Sequence, residues 1–430
     1  MTSSRPSLRA GGALRAVIAV LAVAAPAASA GAWTRPVALM TEARAQYQLG
    51  EAPLVTYRID GTAFVVWKSP VGPAPWTELR VTTHHGGGGW TAPLRIGHTK
   101  RIGFIPSLTV DALDVAVAWP ERHRSREAER LVVWTSRLGS PATTDGPPTQ
   151  AGVSAPTVAL TGSGEVLATW LEKETAWWGV RGADGTWSRT RLDPASRMLD
   201  LTLAAASDGT ALATYRPAPD YLTSTATRAP GGAFTPAGTI PVPGNGFAPE
   251  IRRGGAPAVV VWGYPNLGAW TLSGGAWAGP NAIAGGAFSS VRVGQLPDGR
   301  LIAVWRDSNR TSTSRIMVAQ ETAPGGPWTT PAGLTPERAG LGEPGLAVGT
   351  DGRVLVVFTR SGAIVARVRP AGASVWSNSA AVSPAGRSCR APAVSVAPTG
   401  RALAAFVCRG PAKRFTLMAA ELPASGGAGS

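Results

Sequence analysis

Residues Pro344–Phe358 read PGLAVGTDGRVLVVF, and this single phrase contains the architecture of the chain. Two short apolar runs, GLAV and VLVVF, flank Asp351-Gly352. An Asp-Gly pair is a hairpin turn, because glycine accepts positive backbone dihedrals and aspartate bonds the backbone just beyond it. The runs are too short and too closely bounded by Gly and Pro for helices, and VLVVF lacks the alternation of a half-exposed strand. It reads as an inner, fully buried strand that ends in an aromatic residue.

The phrase recurs. Runs such as FVVW, DVAVAW, VLATW, AVVVW, LIAVW and ALAAF carry the terminal aromatic at Trp67, Trp119, Trp170, Tyr215, Trp262, Trp305, Phe358 and Phe406, spaced by 52, 51, 45, 47, 43, 53 and 48 residues. A period near this length belongs to propeller blades, whose sheets bury an apolar face only against a neighbouring blade. Proline often introduces the preceding strand, as at Pro106, Pro156, Pro344 and Pro392, and the hairpin turns are Asp60-Gly61, Asp208-Gly209, Asp298-Gly299, Asp351-Gly352 and Thr399-Gly400. These aspartates are expected to be structural. A further strand follows each aromatic, then a small-residue turn and a second aromatic at Trp90, Trp187, Phe234, Trp277, Trp328 or Trp376.

Two units depart from the pattern. The second, with Trp119 and Trp134, has no clear outer strand and runs into the Gly- and Pro-rich stretch 139–152. The last unit ends in FTLMAAEL, Phe415–Leu422, without a closing aromatic strand, whereas Trp33 in GAWTRPVAL stands alone at the other end. Moving the Trp33 segment beside Phe415–Leu422 completes the unit and removes the open sheet edges. The expectation is an all-β, single eight-bladed propeller of four-stranded blades over residues 31–422, closed by its N-terminal strand; the alternatives are seven blades with an irregular insertion, or a two-domain β-sandwich chain.

Residues 1–30 carry Arg5, Arg9 and Arg15, an apolar stretch from Ala16 to Ala25 and the small residues Ala28, Ser29 and Ala30, which is the order of a secretory signal peptide. The apolar run is shorter than the roughly 20 residues that span a bilayer, and no later run is longer, so no membrane span is expected after cleavage. The expected location is secreted, extracellular or bound to the cell wall, with 423–430 as a disordered tail. The only cysteines, Cys389 and Cys408, then form a disulfide that fastens the closing blade, Cys389 preceding its first strand and Cys408 following its second.

With 41 basic against 26 acidic residues the chain has a net charge of +15, and loss of the three leader arginines lowers this to +12. The charge is spread without a dense basic block, so for an exported protein anionic glycans or wall polymers are the expected partners, and nucleic acid is not. One propeller rim collects the second-to-third-strand loops and the connections between blades. On it fall Lys68, Arg122, Arg124, Lys173, Arg216, Arg306, Arg360 and Arg409, with Tyr264 in the unit that lacks a base. Guanidinium groups around a channel mouth can hold carboxylate or sulfate bidentately; ordinary solvent-facing charge, offset by Glu121, Glu172, Glu174 and Asp307, is the plainer alternative. The insertion Pro120–Arg130, with His123, is either a lid or a simple hairpin loop. Trp76, Trp177, Trp178 and Trp270 fall outside the simplest strand register and are expected as exposed platforms. The four histidines have no HExxH context, no metal site or cofactor is expected, and neither a Walker loop nor a GxSxG elbow occurs.

From Trp33 to Leu422 the chain resembles secreted proteins of actinobacterial type whose repeats relate to the sialidase-like, or BNR, propellers, on its Asp-Gly hairpin, aromatic-ended strand and GGxW strand. That resemblance implies a propeller that acts as an exo-sialidase, a glycan lyase or a binding module. Sialidases of the superfamily carry SxDxGxTW boxes; the nearest segment, Gly182–Trp187, keeps Thr186 and Trp187 but places Gly182 and Asp184 at the box aspartate and glycine. Their chemistry, three arginines on a carboxylate with a Tyr–Glu pair and an acid-base Asp, has no motif here among Tyr47, Tyr57, Tyr215, Tyr221 and Tyr264. The expected function is therefore a noncatalytic binding or scaffold propeller, acting as a monomer, with a sialidase-like glycosidase or polysaccharide lyase as the alternative.

Overall fold

The computed structural model describes residues 32–42, 52–70, 76–86, 88–99, 106–122, 129–149, 152–193, 197–253, 256–263, 265–308, 313–410 and 414–424. The leader 1–30, the end of the tail (425–430), Arg124 and Tyr264 lie outside them. The described residues form 32 strands in eight four-stranded antiparallel sheets.

The first strand, β1 (Val37–Glu42), belongs to the last blade. Blade 1 follows as β2 (Leu54–Tyr57), β3 (Ala63–Pro70), β4 (Thr77–His84) and β5 (Leu94–Thr99). Blade 2 is β6 (Ser107–Val110), β7 (Asp114–Arg122), β8 (Glu129–Arg137) and β9 (Thr143–Asp145); blade 3 is β10 (Val153–Leu160), β11 (Val166–Glu172), β12 (Thr175–Arg181) and β13 (Trp187–Arg191). Blade 4 comprises β14 (Met198–Ala205), β15 (Ala211–Pro217), β16 (Leu222–Arg228) and β17 (Phe234–Pro243), and blade 5 β18 (Gly246–Ile251), β19 (Pro257–Gly263), β20 (Asn266–Ser273) and β21 (Ala276–Gly285). Blade 6 has β22 (Phe288–Gln295), β23 (Leu301–Ser308), β24 (Ser314–Gln320) and β25 (Ala332–Gly333); blade 7 has β26 (Leu341–Val348), β27 (Val354–Arg360), β28 (Ala363–Arg369) and β29 (Ala380–Ala381). Blade 8 contains β30 (Ser388–Val396), β31 (Ala402–Arg409) and β32 (Phe415–Leu422), and β1 is its fourth strand.

The terminal exchange is as the strand arithmetic requires: β1 pairs antiparallel with β32, Thr41 opposite Thr416 and Val37 opposite Ala419. The first strand of each blade touches the first strands of both neighbours around the full circle, β30 meeting β2. The ring is an eight-bladed propeller with its first strands innermost. The second unit is a complete blade, its outer strand being the three residues of β9, so the seven-blade alternative falls.

Burial follows from this arrangement. A second strand is flanked by strands within its sheet and by blades on both faces, so it has no solvent side and needs no alternation; all seven residues of β11 are buried. The core is a circle of wedges, each filled from two adjacent blades. Trp119 packs between blades 1 and 2, Trp170 between 2 and 3, Trp305 between 5 and 6, Phe358 between 6 and 7, and Phe406 between 7 and 8. Trp262 departs from the repeat. Val259 and Val261 face blade 4, so Trp262, one residue on, points toward blade 6 and is only half-buried.

The Asp-Gly turns are structural, as expected. Oδ1 of Asp60, Asp208, Asp298 and Asp351 accepts the amide two residues on, at 3.0, 2.8, 3.1 and 2.9 Å, and the intervening glycines have φ between 77° and 93°. Burial works against the Asp60 charge, but hydrogen bonds from Arg58 and the Thr62 amide outweigh it and hold the carboxyl at about 2. Cys389 and Cys408 form a disulfide between directly opposed residues of β30 and β31. They lie inside the two strands, and not beyond them as the turn position suggests, because both strands extend past the bulge at Arg390/Ala393.

Candidate functional site

The loop rim is built from the far ends of the second strands. In blades 6 and 7 these ends meet a bulge in the first strand: Arg306 lies opposite Ser289 and Arg360 opposite Leu341, each in the last pair before it, whereas in blade 8 Arg409, opposite Ser388, lies two residues beyond the pair Arg390–Val407 that borders the bulge. Ser290 (φ 54°) and Ala391 (φ 54°) turn left-handed within two of those bulges, which re-aims the first strand just below the rim. Arg409 is exposed, Arg306 and Arg360 are half-buried, and none of the three forms an ion pair among the described residues. Ser289 Oγ, opposite Arg306, and Arg306 Nε itself are buried without a hydrogen-bond partner.

The other candidates are placed differently. Lys173 is exposed, in the left-handed two-residue turn Lys173-Glu174 between β11 and β12. Arg216 is tied to Asp200 and to the Gly244 carbonyl, so it is committed to the blade 4–5 connection. Lys68 is buried on β3. Arg122 ends β7, with its side chain outside the description, and residues 123–128 of the charged insertion are outside it too. The rim therefore presents an arc of bases over blades 6–8 plus Lys173, and not a uniform circle.

The acids expected to offset this charge bind other arginines. Glu121 pairs with Arg130 at 2.6 Å, Glu174 with Arg197 at 2.7 Å and Asp307 with Arg315 at 3.5 Å. Glu172 accepts hydrogen bonds from Trp170 Nε1 at 3.0 Å and Arg189 at 2.8 Å.

Tyr57 and Tyr215 are core residues. Burial, with Glu421 near Tyr57, raises the Tyr57 phenol above its ordinary value, and burial pushes Tyr215 up to about 12, with Asp193 adding to the shift. Tyr221 is exposed in a left-handed turn. No described tyrosine makes a hydrogen bond to a glutamate, the contact a sialidase-like nucleophile needs. Among the platform tryptophans, Trp178 and Trp270 are 8% and 2% exposed, a correction. Both lie on third strands, where Trp178 meets Phe234 edge-on at 5.1 Å and Trp270 joins the blade 4–5 wedge. Trp177 is half-buried under Arg189, whose guanidinium sits 4.3 Å from the ring centroid.

The opposite rim, carrying the Asp-Gly turns, holds a set of blade-to-blade ion pairs that the sequence does not announce. Arg181 of blade 3 reaches Asp145 of blade 2 at 2.7 Å, Arg228 of blade 4 reaches Glu165 of blade 3 at 3.2 Å, and Arg252 of blade 5 meets Glu321 of blade 6 at 2.5 Å. His84 of blade 1 lies 2.9 Å from Glu421 of blade 8, which also binds Arg401 at 2.8 Å, so the closing seam is fastened on this side as well. Clefts open between blades here: one of about 150 Å³ between blades 2 and 3, and one of about 450 Å³ between blades 6 and 7.

No protein-family model matches the chain, and no curated protein matches it. Solved structures do. The Dos1 propeller superposes with a TM-score of 0.52 at 6% identity, over 89% of this chain and 93% of that one. A polysaccharide lyase of family PL25, an ulvan lyase, gives 0.47 at 10% identity over 78% and 92%, and the sialidase of Trypanosoma rangeli gives 0.40 at 9% over 87% and 55%. At these identities the likeness is one of fold: the chain shares the propeller architecture.

Proposed function

We propose that this protein is an exported, noncatalytic binding propeller whose loop rim engages an anionic glycan or wall polymer. The observation that carries this reading is the arc of Arg306, Arg360 and Arg409, at the loop-rim ends of the second strands of three consecutive blades and without an acid partner among the described residues. Planar guanidinium groups spaced along a rim suit a polymer that repeats its carboxylate or sulfate groups, since each contact is weak in solvent and several add. Lys173, exposed on blade 3, extends the same rim. Tyr57 and Tyr215 are 4% exposed, closed off in the wedges of the core from any rim ligand, which supports a binding role over hydrolysis by either of them.

The test is retention on immobilised heparin, a sulfated and uronate-rich glycan, with neutral dextran as control. The protein is expected to bind heparin alone and to elute earlier as salt rises, and the triple variant R306Q/R360Q/R409Q to lose about tenfold or more in affinity while keeping its melting temperature. Passage through heparin without retention, or unchanged elution of the triple variant, would remove the reading.

A further inference from the structure

Four arginines occupy one register position at the ends of third strands; Arg137, opposite Asp114, is exposed, and the other three are not. Arg181 lies opposite Val166, Arg228 opposite Ala211 and Arg369 opposite Val354, each partner being the first residue of its second strand. All three lean toward the preceding blade. For Arg181 that blade supplies Asp145, and for Arg228 it supplies Glu165. For Arg369 it supplies Gln320, whose neutral Oε1 accepts from Nη1.

Arg369 is only 9% exposed and forms no ion pair among the described residues. A buried guanidinium without a countercharge is costly, and the surroundings do not relieve it. Burial, with repulsion from Arg300, lowers its pKa from the ordinary arginine value, and Asp298 offsets this only in part. The two nearby acids are committed elsewhere: Asp298 to Arg300 at 2.7 Å, and Asp351 to the Arg353 amide at 2.9 Å, with its other oxygen 3.8 Å from Arg353 Nε. Where the equivalent arginines meet a carboxylate, Arg369 instead faces the 450 Å³ cleft between blades 6 and 7, which Gln320, Arg300 and Ser374 also line, together with the committed acids Asp298 and Asp351.

We propose that this cleft binds the carboxylate of a small organic acid, seated on Arg369 in the position that Asp145 and Glu165 fill for its two equivalents. The volume lies in the range of small-molecule sites, and the polar lining suits a hydroxylated acid of monosaccharide size. A monoanion matches the single uncompensated charge. The site is on the rim opposite the basic arc and stands independently of the polymer-binding reading. Trp376, whose ring lies 5.6 Å from the Arg369 guanidinium, offers a fluorescence signal.

The experiment titrates the full exported chain with sodium glucuronate, sodium acetate, sodium sulfate and neutral glucose, by calorimetry and tryptophan fluorescence. Glucuronate is expected to bind once per chain with a Kd on the order of 1 mM, acetate more weakly, and glucose not at all. R369M is expected to fold and melt no lower than the parent, since it removes an uncompensated charge, but to bind at least about tenfold more weakly. Q320E supplies the missing internal carboxylate; it should raise the melting temperature and abolish glucuronate binding. R306Q/R360Q/R409Q should bind glucuronate normally, which separates this site from the loop rim. Absence of saturable glucuronate binding, unchanged binding in R369M or Q320E, or equal binding of inorganic sulfate would overturn the carboxylate assignment.

Discussion

Replacing Glu321 or Arg252 tests whether the blades are joined by their turn-rim ion pairs. Glu321 is 0% exposed and Arg252 3% exposed. Glu321 Oε1 takes a hydrogen bond from Arg252 Nη2 at 2.5 Å, Oε2 takes the Leu301 amide at 2.9 Å, and Arg252 Nη1 also donates to Thr271 at 3.0 Å. Removing one member of such a pair strands the other charge without water, which costs about 3–5 kcal/mol. Glutamine at 321 can keep the Leu301 hydrogen bond, so E321Q should sit near the lower limit, about 3 kcal/mol, and R252M should cost at least as much. The double variant R252M/E321Q leaves neither charge of this pair and, measured at pH 6, where Glu250 keeps its proton, is expected within about 1 kcal/mol of the parent. The cycle therefore predicts a coupling of at least about 3 kcal/mol. Urea unfolding followed by tryptophan fluorescence reads it: at an m-value of about 3 kcal/mol/M, each single variant lowers the midpoint by about 1 M, and the double variant barely moves it. Single variants within 0.5 kcal/mol of the parent, or a double variant as unstable as the sum, would refute the reasoning.

Two further predictions concern the inner ring and the last blade. Burial pushes Glu250 on β18 up to about 7, with Arg252 pulling the other way, so the folded protein holds this proton to about pH 7 while the unfolded chain releases it near 4.5. Stability is then lost as pH rises from 4.5 to about 7, and E250Q should be more stable than the parent at pH 8 by up to about 3 kcal/mol and equal to it at pH 4; urea melts across that range check it, and a pH-independent difference would contradict it. The disulfide closes a loop of 19 residues, so C389A/C408A should lose about 3 kcal/mol in the same assay on the chain-entropy estimate, and an unchanged midpoint would show that blade 8 does not depend on the bridge.

The repeat was legible because its signals are local. A hairpin turn, a buried second strand and an aromatic end all fall within about fifteen residues, as in Pro344–Phe358, and the missing strand of blade 8 follows from counting. What was not legible depends on facing. The run AVVVW is apolar throughout, so nothing in it shows that Trp262 sits one residue out of phase with Trp305. Trp178 and Trp270 look out of register only until their third strands are set against both neighbours. The pairing of charges is long-range: Arg228 and Glu165 are 63 residues apart and Arg252 and Glu321 are 69 apart, so the rim bases could be named from the sequence but the free ones could not be told from the paired. The contrast between Arg369 and its two paired equivalents exists only in the assembled ring.

The closed ring depends on β1 serving as the outer strand of blade 8, and Thr41 and Thr416 report on it directly. They are opposed in register, with Oγ1 atoms 3.5 Å apart, although 375 residues separate them. In T41C/T416C, mild oxidation followed by peptide mapping under non-reducing conditions should yield one new disulfide joining positions 41 and 416, beside the native 389–408 bridge. Free thiols at both positions in folded protein, or a bridge from 41 to any other strand, would contradict the closed eight-bladed ring.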